Sequence, residues 1–210
     1  MQLRPHPKGG YAVWLTESEL QDVIDHHSED MEKQLAIKYM ARVGLRADGL
    51  KNVTRSAIRR LDVDDECYII RLEKTKRGYR EAPLPLDVKT DTYALSQAMG
   101  LKQDEPVFQQ SKRTYQRAVE NAVAALAGPI RNDDGEIVGY ENEDWLKVSA
   151  HDLRRSWATR CYYKLGGTER DLRAVMSWGG WSKRDTFEDH YLGVIPEDLL
   201  AEMMEEADLR

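Results

Sequence analysis

Apolar residues recur at helical spacing along most of this 210-residue chain, and one stretch near the middle breaks that rhythm. Thr16-Glu17-Ser18-Glu19 has the form of a capping box and predicts a helix over 17 to 27. Ser28 or Asp30 can cap a second helix, with Ile37, Met40 and Ala41 on one face and Gly44 as its stop. A short helix is predicted over 48 to 55. Cys67-Tyr68-Ile69-Ile70-Arg71-Leu72 predicts a strand, the Lys/Arg/Gly stretch after it a hairpin turn, and 79 to 84 the returning strand.

Helices are expected again over 87 to 99 and 111 to 127, closed by Gly100 and Gly128. Turn residues at 131 to 135 predict a loop or small hairpin within 129 to 146. Ser149 is a plausible N-cap for a helix over 150 to 165, on which His151 and Arg154 share a face. Thr168 starts a further helix that stops at Gly179-Gly180, and Ser182 is the expected cap of a helix carrying Tyr191. Pro196 suits the first position of a last helix, with Leu199, Leu200, Met203, Met204 and Ala207 on one stripe. The expected fold is mainly α with a small antiparallel β-sheet (α+β). Residues 1–15 are expected as a tail or linker, 16–195 as the main domain and 196–210 as a C-terminal helix.

Charged residues make up 32% of the chain and apolar ones 41%, which fits a globular protein with a polar surface. No apolar run approaches the ~20 residues needed to span a bilayer, and no membrane role is expected. The start of the chain lacks the apolar stretch of a signal peptide. Cys67 and Cys161 have no CxxC spacing, so a reducing cytoplasm and two buried thiols are expected.

The net charge of −6 argues at first against a nucleic-acid partner. Its distribution changes that picture. Residues 71 to 80 carry five positive charges against Glu73, and residues 150 to 184 carry eight against three acids. Residues 17 to 32 hold seven acids and no lysine or arginine, and residues 197 to 210 hold six acids and Arg210. Such segregation suits one DNA-facing surface and an acidic back.

The basic stretches coincide with chemistry. Gly44-Leu45-Arg46 is followed by Lys74-Thr75-Lys76-Arg77-Gly78-Tyr79-Arg80 and Pro83-Leu84-Pro85. Then come His151-Asp-Leu-Arg154, Gly180-Trp181-Ser182 and Tyr191. Cleaving a phosphodiester by transesterification needs a nucleophile, charge stabilisation on phosphate and a proton for the leaving oxygen. Guanidinium serves the second need well, because its fork donates two hydrogen bonds to phosphate oxygens.

In this order these motifs resemble the catalytic domain of the tyrosine recombinases (phage-integrase family), over about residues 35 to 193. The resemblance implies that Arg46 and Arg154 hold the scissile phosphate. His151 would bond that phosphate or help to take the tyrosine proton. Trp181 stands where relatives carry His or Trp, and its indole N–H can donate but not exchange a proton. Lys74 would protonate the 5′ leaving oxygen, with Lys76 the second choice, and Tyr191 would be the nucleophile. Lys76, Arg77, Arg80, Arg155, Lys183 and Arg184 are the expected DNA contacts.

No metal, ATP or other cofactor is implied. The implied partner is double-stranded DNA, with self-association on it through a C-terminal helix that docks in cis or in trans. The implied location is the cytoplasm, on DNA.

Two departures from the family pattern stand out. Tyr191 lies ten residues after Trp181, one more than relatives often show. Asp48 comes two residues after Arg46 and Gly49 three after, where many relatives carry Glu. Relatives also place a helical core-binding domain first, whereas about 35 mostly acidic residues precede the helix leading to Arg46. An excised catalytic fragment and a short protein that binds DNA from one side both fit, and the second would bind weakly and with high salt sensitivity.

Three other readings compete. A DNA-binding regulator on the same fold would bind duplex without cleaving it. A metal-dependent hydrolase could use His26, His27 and scattered acids, but adjacent residues point to different helix faces, which is poor ligand geometry. A type IB topoisomerase shares the chemistry, while the hairpin and compact length are closer to integrases.

Overall fold

The computed structural model describes residues 1–6, 9–75, 78–192 and 194–209, and for residues 73–78 no side chain. It opens on an antiparallel hairpin of β1 (Gln2–Pro5) and β2 (Tyr11–Trp14), in register from Gln2↔Trp14 to Pro5↔Tyr11. Residues 1–15 are thus not the expected tail or linker. Ala12, Val13, Trp14 and Leu15 are all buried, and such an apolar run gains more from packing than from solvent. The hairpin also settles main-chain donors: Val13 N–H reaches Asp152 Oδ1 at 3.0 Å and Leu15 N–H reaches Ser156 Oγ at 2.9 Å.

Helix α1 (Glu17–Asp25) starts at Thr16 with Glu19 closing the capping box, and α2 (Met31–Arg42) is capped by Asp30. The short helix expected after Arg46 resolves into two 3₁₀ turns, Leu50–Asn52 and Arg55–Ala57. Val53 and Thr54 between them are extended, as β-branched residues favour.

Strands β3 (Ile58–Arg60), β4 (Tyr68–Thr75) and β5 (Gly78–Leu84) form one antiparallel sheet in that order. The sequence pattern anticipates the last two and misses the three-residue β3. Helices α3 (Leu86–Ala98) and α4 (Lys112–Leu126) follow, then a small hairpin of β6 (Pro129–Arg131) and β7 (Ile137–Tyr140). The chain closes with α5 (Ala150–Lys164), α6 (Glu169–Gly179), α7 (Arg184–Tyr191) and α8 (Glu197–Glu206). Among the described residues no helix is long and apolar enough to cross a membrane.

Two apolar clusters organise this order. The larger joins β2, the first four helices and the central sheet. The smaller joins Trp157, Ala158, Leu172, Val175, Trp181, Phe187 and Tyr191. Helix α5 runs between them and is buried from Asp152 through Arg160, three arginines included. Buried charge is costly without partners, so this helix announces a polar centre rather than a simple core. Cys67, expected inside, is exposed, and Cys161 is half-buried.

Helix α2 ends at Arg42 with Val43 as its C-cap, and Gly44 adopts φ +65°. A Cβ at Gly44 would lie 2.1 Å from Trp157 Cε3. Left-handed strain and this clash together predict that Gly44→Ala destabilises the protein by about 2–6 kcal/mol. Denaturant unfolding of the two proteins checks this.

Candidate active site

Five of the six residues singled out for catalysis have described side chains: Arg46, His151, Arg154, Trp181 and Tyr191. Helix α5 carries two of them. Its first turn is tied down by Asp152, whose Oδ2 accepts from Ser149 N–H at 2.9 Å and Ser149 Oγ at 2.5 Å. His151 therefore stands at a fixed helix start, and Arg154 lies one turn further on the same face.

Arg154 is fully buried. Its Nη1 donates to the Gly44 carbonyl and its Nη2 to the Gly179 carbonyl at 2.7 Å. One guanidinium thus joins the turn that precedes Arg46 to the turn that precedes Trp181. Its Cζ also lies 3.9 Å over the Trp181 ring. Trp181 packs down onto Gly179, where a Cβ would lie 1.6 Å from the indole. The nearest aromatic neighbours of Trp181 are Tyr191, with ring centroids 4.5 Å apart, and Phe187 at 4.8 Å.

Tyr191 is the last residue of α7 and only 4% exposed. Its hydroxyl lies 2.8 Å from His151 Nε2. The extra residue between Trp181 and Tyr191 therefore does not carry the phenol away. Lys183, not Ser182, is the N-cap of this helix, and it makes no side-chain cap bond.

Electrostatics gives the pair its direction. Burial first, then Arg155, Arg154, Arg46 and His190, push the His151 pKa down to about 3. The residue is exposed to solvent, which weakens the effect of burial, and the surrounding guanidinium groups keep the proton off the ring. A neutral imidazole can accept the phenol proton. Arg154 is itself held well below its ordinary range by burial and by Arg80 and Arg46. Arg80, pushed down to about 9 by burial and Arg46, completes a cluster of like charges. Concentrated cations of this kind favour an anion between them. Trp181 Nε1 and Arg154 Nε are buried donors with no hydrogen-bond partner among the described residues.

The depressed His151 pKa carries a pH signature. Below 6.5, its ordinary value, the unfolded chain takes up a proton there that the folded chain refuses until about pH 3. Stability contributed by the neutral form is therefore lost as pH falls through that window. His151→Gln should flatten the fall, which thermal melts between about pH 4 and pH 8 would record.

The expected DNA contacts divide. Lys183 and Arg184 are exposed at the start of α7, though Arg184 is shared between Glu169 at 2.8 Å and Glu188 at 2.9 Å. Lys76 and Arg77, and the side chain of the hairpin lysine Lys74, lie outside the described residues. Arg80 and Arg155 take another position: both are buried. Arg80 donates to the carbonyls of Val43 at 3.0 Å, Gly44 at 3.4 Å and Trp178. Arg155 pairs with Asp152 and donates from Nε to the His190 carbonyl at 2.9 Å. Each has main-chain acceptors near the site that outweigh solvation at the surface, so both serve as scaffold.

Other placements bear on the competing readings. His27 Nε2 lies 2.8 Å from the Ala118 carbonyl, remote in the chain from the cluster above. Among the described residues no three His, Cys, Asp or Glu side chains group as metal ligands. A groove of about 920 Å³ between β5, α1, α5 and α6 contains none of the five residues, although it shares Trp157 with the aromatic cluster. Helix α8 starts in cis, with Asp198 accepting from Arg160 Nη1 at 2.7 Å and Glu17 N–H at 2.9 Å. Leu199 is buried there, while Leu200, Met203 and Met204 stay exposed.

The model of the phage integrase family matches residues 13–196. A search of the curated proteins found no match. The XerA recombinase structure is similar with TM-score 0.64 and 19% identity, covering 94% of this chain and 66% of that one. XerH site-specific recombinase bound to palindromic difH substrate gives 0.61 and 18%, covering 93% of this chain and 52% of that one. A lambda integrase dimer bound to a COC′ core site gives 0.54 and 18%, covering 85% and 47%. At such identities the likeness is one of fold. This chain spans about half to two thirds of the length of the structures it matches.

Proposed function

The chain belongs to the phage integrase family, and from that premise we propose that it cleaves and rejoins DNA strands through a 3′-phosphotyrosyl bond to Tyr191. The observation that carries this reading is the 2.8 Å contact between the Tyr191 hydroxyl and His151 Nε2, set among guanidinium groups.

Tyr191 Oη attacks the phosphorus as His151 Nε2 takes its proton. A free phenol has a pKa of about 10, and the cations that keep His151 neutral also weaken it as a base. The phosphate anion bound among the guanidinium groups offsets them before the imidazole takes the proton. Arg46 and Arg154 stabilise charge on the non-bridging oxygens, and the Trp181 N–H adds a donor to them. The bond to the 5′-oxygen breaks, and Lys74 gives that oxygen its proton. A 5′-hydroxyl from another strand then attacks the phosphotyrosine and returns the phenol. One phosphodiester is lost and one gained, so the covalent intermediate conserves bond energy. Exposed Leu200, Met203 and Met204 on α8 give self-association on DNA an apolar face in the same reading.

The test is a duplex nicked just to the 3′ side of the cleaved bond, which lets the short fragment bearing the freed 5′-hydroxyl escape and traps the intermediate. A covalent complex should accumulate in EDTA without ATP. Duplex retardation with no adduct under any assembly condition would select a DNA-binding regulator instead.

A further inference from the structure

The nucleophile is held from behind by residues that no motif contains. Helix α7 has only eight residues and no side-chain cap at its start. The last carbonyls of a helix lack donors of their own. Here they are supplied from two other elements. Trp14 Nε1, on β2, lies 3.1 Å from the Tyr191 carbonyl and 3.0 Å from Thr159 Oγ1. Thr159 Oγ1, on α5, donates to the same Tyr191 carbonyl. One residue earlier, the His190 carbonyl takes Arg155 Nε, and the His190 ring stacks on His6 with centroids 5.5 Å apart. Trp14 and Thr159 are both buried, so water does not compete for these bonds.

We propose that Trp14 and Thr159 are positioning residues that fix the main chain of Tyr191 against helix α5. That helix also carries His151, so the attacking oxygen and its proton acceptor share one frame. Neither residue touches the phenolic oxygen; both act through the Tyr191 carbonyl. The N-terminal hairpin thereby becomes part of the cleavage machinery. The inference rests on the cleavage reading above. Displacement of a nucleophile by about 1 Å costs on the order of 10²-fold in rate, which sets the size of the expected effect.

The test compares Thr159→Val, Thr159→Ser and Trp14→Phe in single-turnover adduct formation at saturating nicked duplex. Valine keeps the shape of threonine and loses the hydroxyl, so Thr159→Val should slow the step about 10–100-fold. Serine keeps the hydroxyl and loses the methyl, so Thr159→Ser should stay near the wild-type rate. Trp14→Phe loses only the N–H donor and part of the ring, and should slow the step while duplex affinity holds. Combining Trp14→Phe with Thr159→Val should cost less than the product of the two, since both bonds end on one carbonyl.

A packing role predicts the reverse order, with Thr159→Val at the wild-type rate and Thr159→Ser slow. That order overturns the proposal, as does a rate loss explained by weaker DNA binding. Loss of the folded state in both Thr159→Val and Trp14→Phe overturns it too, by assigning the bonds to stability. If the wild-type protein forms no adduct, the cleavage reading itself has failed, and this inference falls with it.

Discussion

Tyr191→Phe is expected to abolish covalent attachment to DNA while leaving the fold and duplex binding in place. The hydroxyl is the only group removed, and it hydrogen-bonds His151 Nε2 beside the Arg154 guanidinium. Losing that bond costs about 1 kcal/mol of stability, small beside the packing of a ring that touches Trp181 and stacks on Phe187. The chemical loss is of another order. Without the attacking oxygen there is no phosphotyrosine, and the drop should reach at least about 10⁴-fold. Tyr162 and Tyr163 offer no substitute, since both sit late on α5, and Tyr162 is spent on the Gly167 carbonyl. Gel retardation beside adduct formation separates the two effects.

Arg154→Lys and Arg46→Lys should both lower cleavage, and their stabilities should part company. Lysine keeps the charge and loses the planar fork. At Arg154 the fork reaches two carbonyls at once, Gly44 and Gly179, from a fully buried position. Arg80 still donates to the Gly44 carbonyl, so a lysine that cannot span both leaves the Gly179 carbonyl unpaired, at about 1–3 kcal/mol. The same loss loosens the turns that present Arg46 and Trp181. Arg46 is only half-buried, so Arg46→Lys should change stability by about 0.5 kcal/mol or less. Loss of a preorganised donor to a transition-state phosphate should cost each variant about 10²–10³-fold in cleavage rate. Equal melting temperatures for the two variants would contradict the scaffold role given to Arg154.

The sequence pointed to candidate residues more readily than to their supports. His151 and Arg154 share a helix face by spacing, and the structure brings the Tyr191 hydroxyl within 2.8 Å of His151 Nε2. Helices capped by Thr16, Asp30, Ser111 and Thr168 were legible for a local reason: each cap bond lies within a single turn. Arg80 was not, since an arginine after a basic hairpin looks solvated on sequence grounds. Its burial depends on carbonyls at Val43, Gly44 and Trp178, two segments far away in the chain.

The N-terminal hairpin escaped for another reason. Strands of four residues are too short to show a period, and the signal was the apolar run Ala12-Val13-Trp14-Leu15 ahead of the Thr16 cap. Asp152 illustrates the same limit. A carboxylate two residues before Arg154 suggests an ordinary surface ion pair, yet it caps α5, pairs with Arg155 and receives the Val13 amide. Local bonds can be read from spacing, whereas bonds between distant segments cannot.

The central claim is that a phenolic oxygen of this chain becomes bonded to a DNA phosphate. Trapping the complex on nicked duplex, digesting it and sequencing the DNA-linked peptide by mass tests that claim most directly. The account predicts a single modified residue, Tyr191, carrying the phosphate as an ester. An adduct on Tyr162, Tyr163 or any other residue would contradict it, as would bound duplex with no linked peptide.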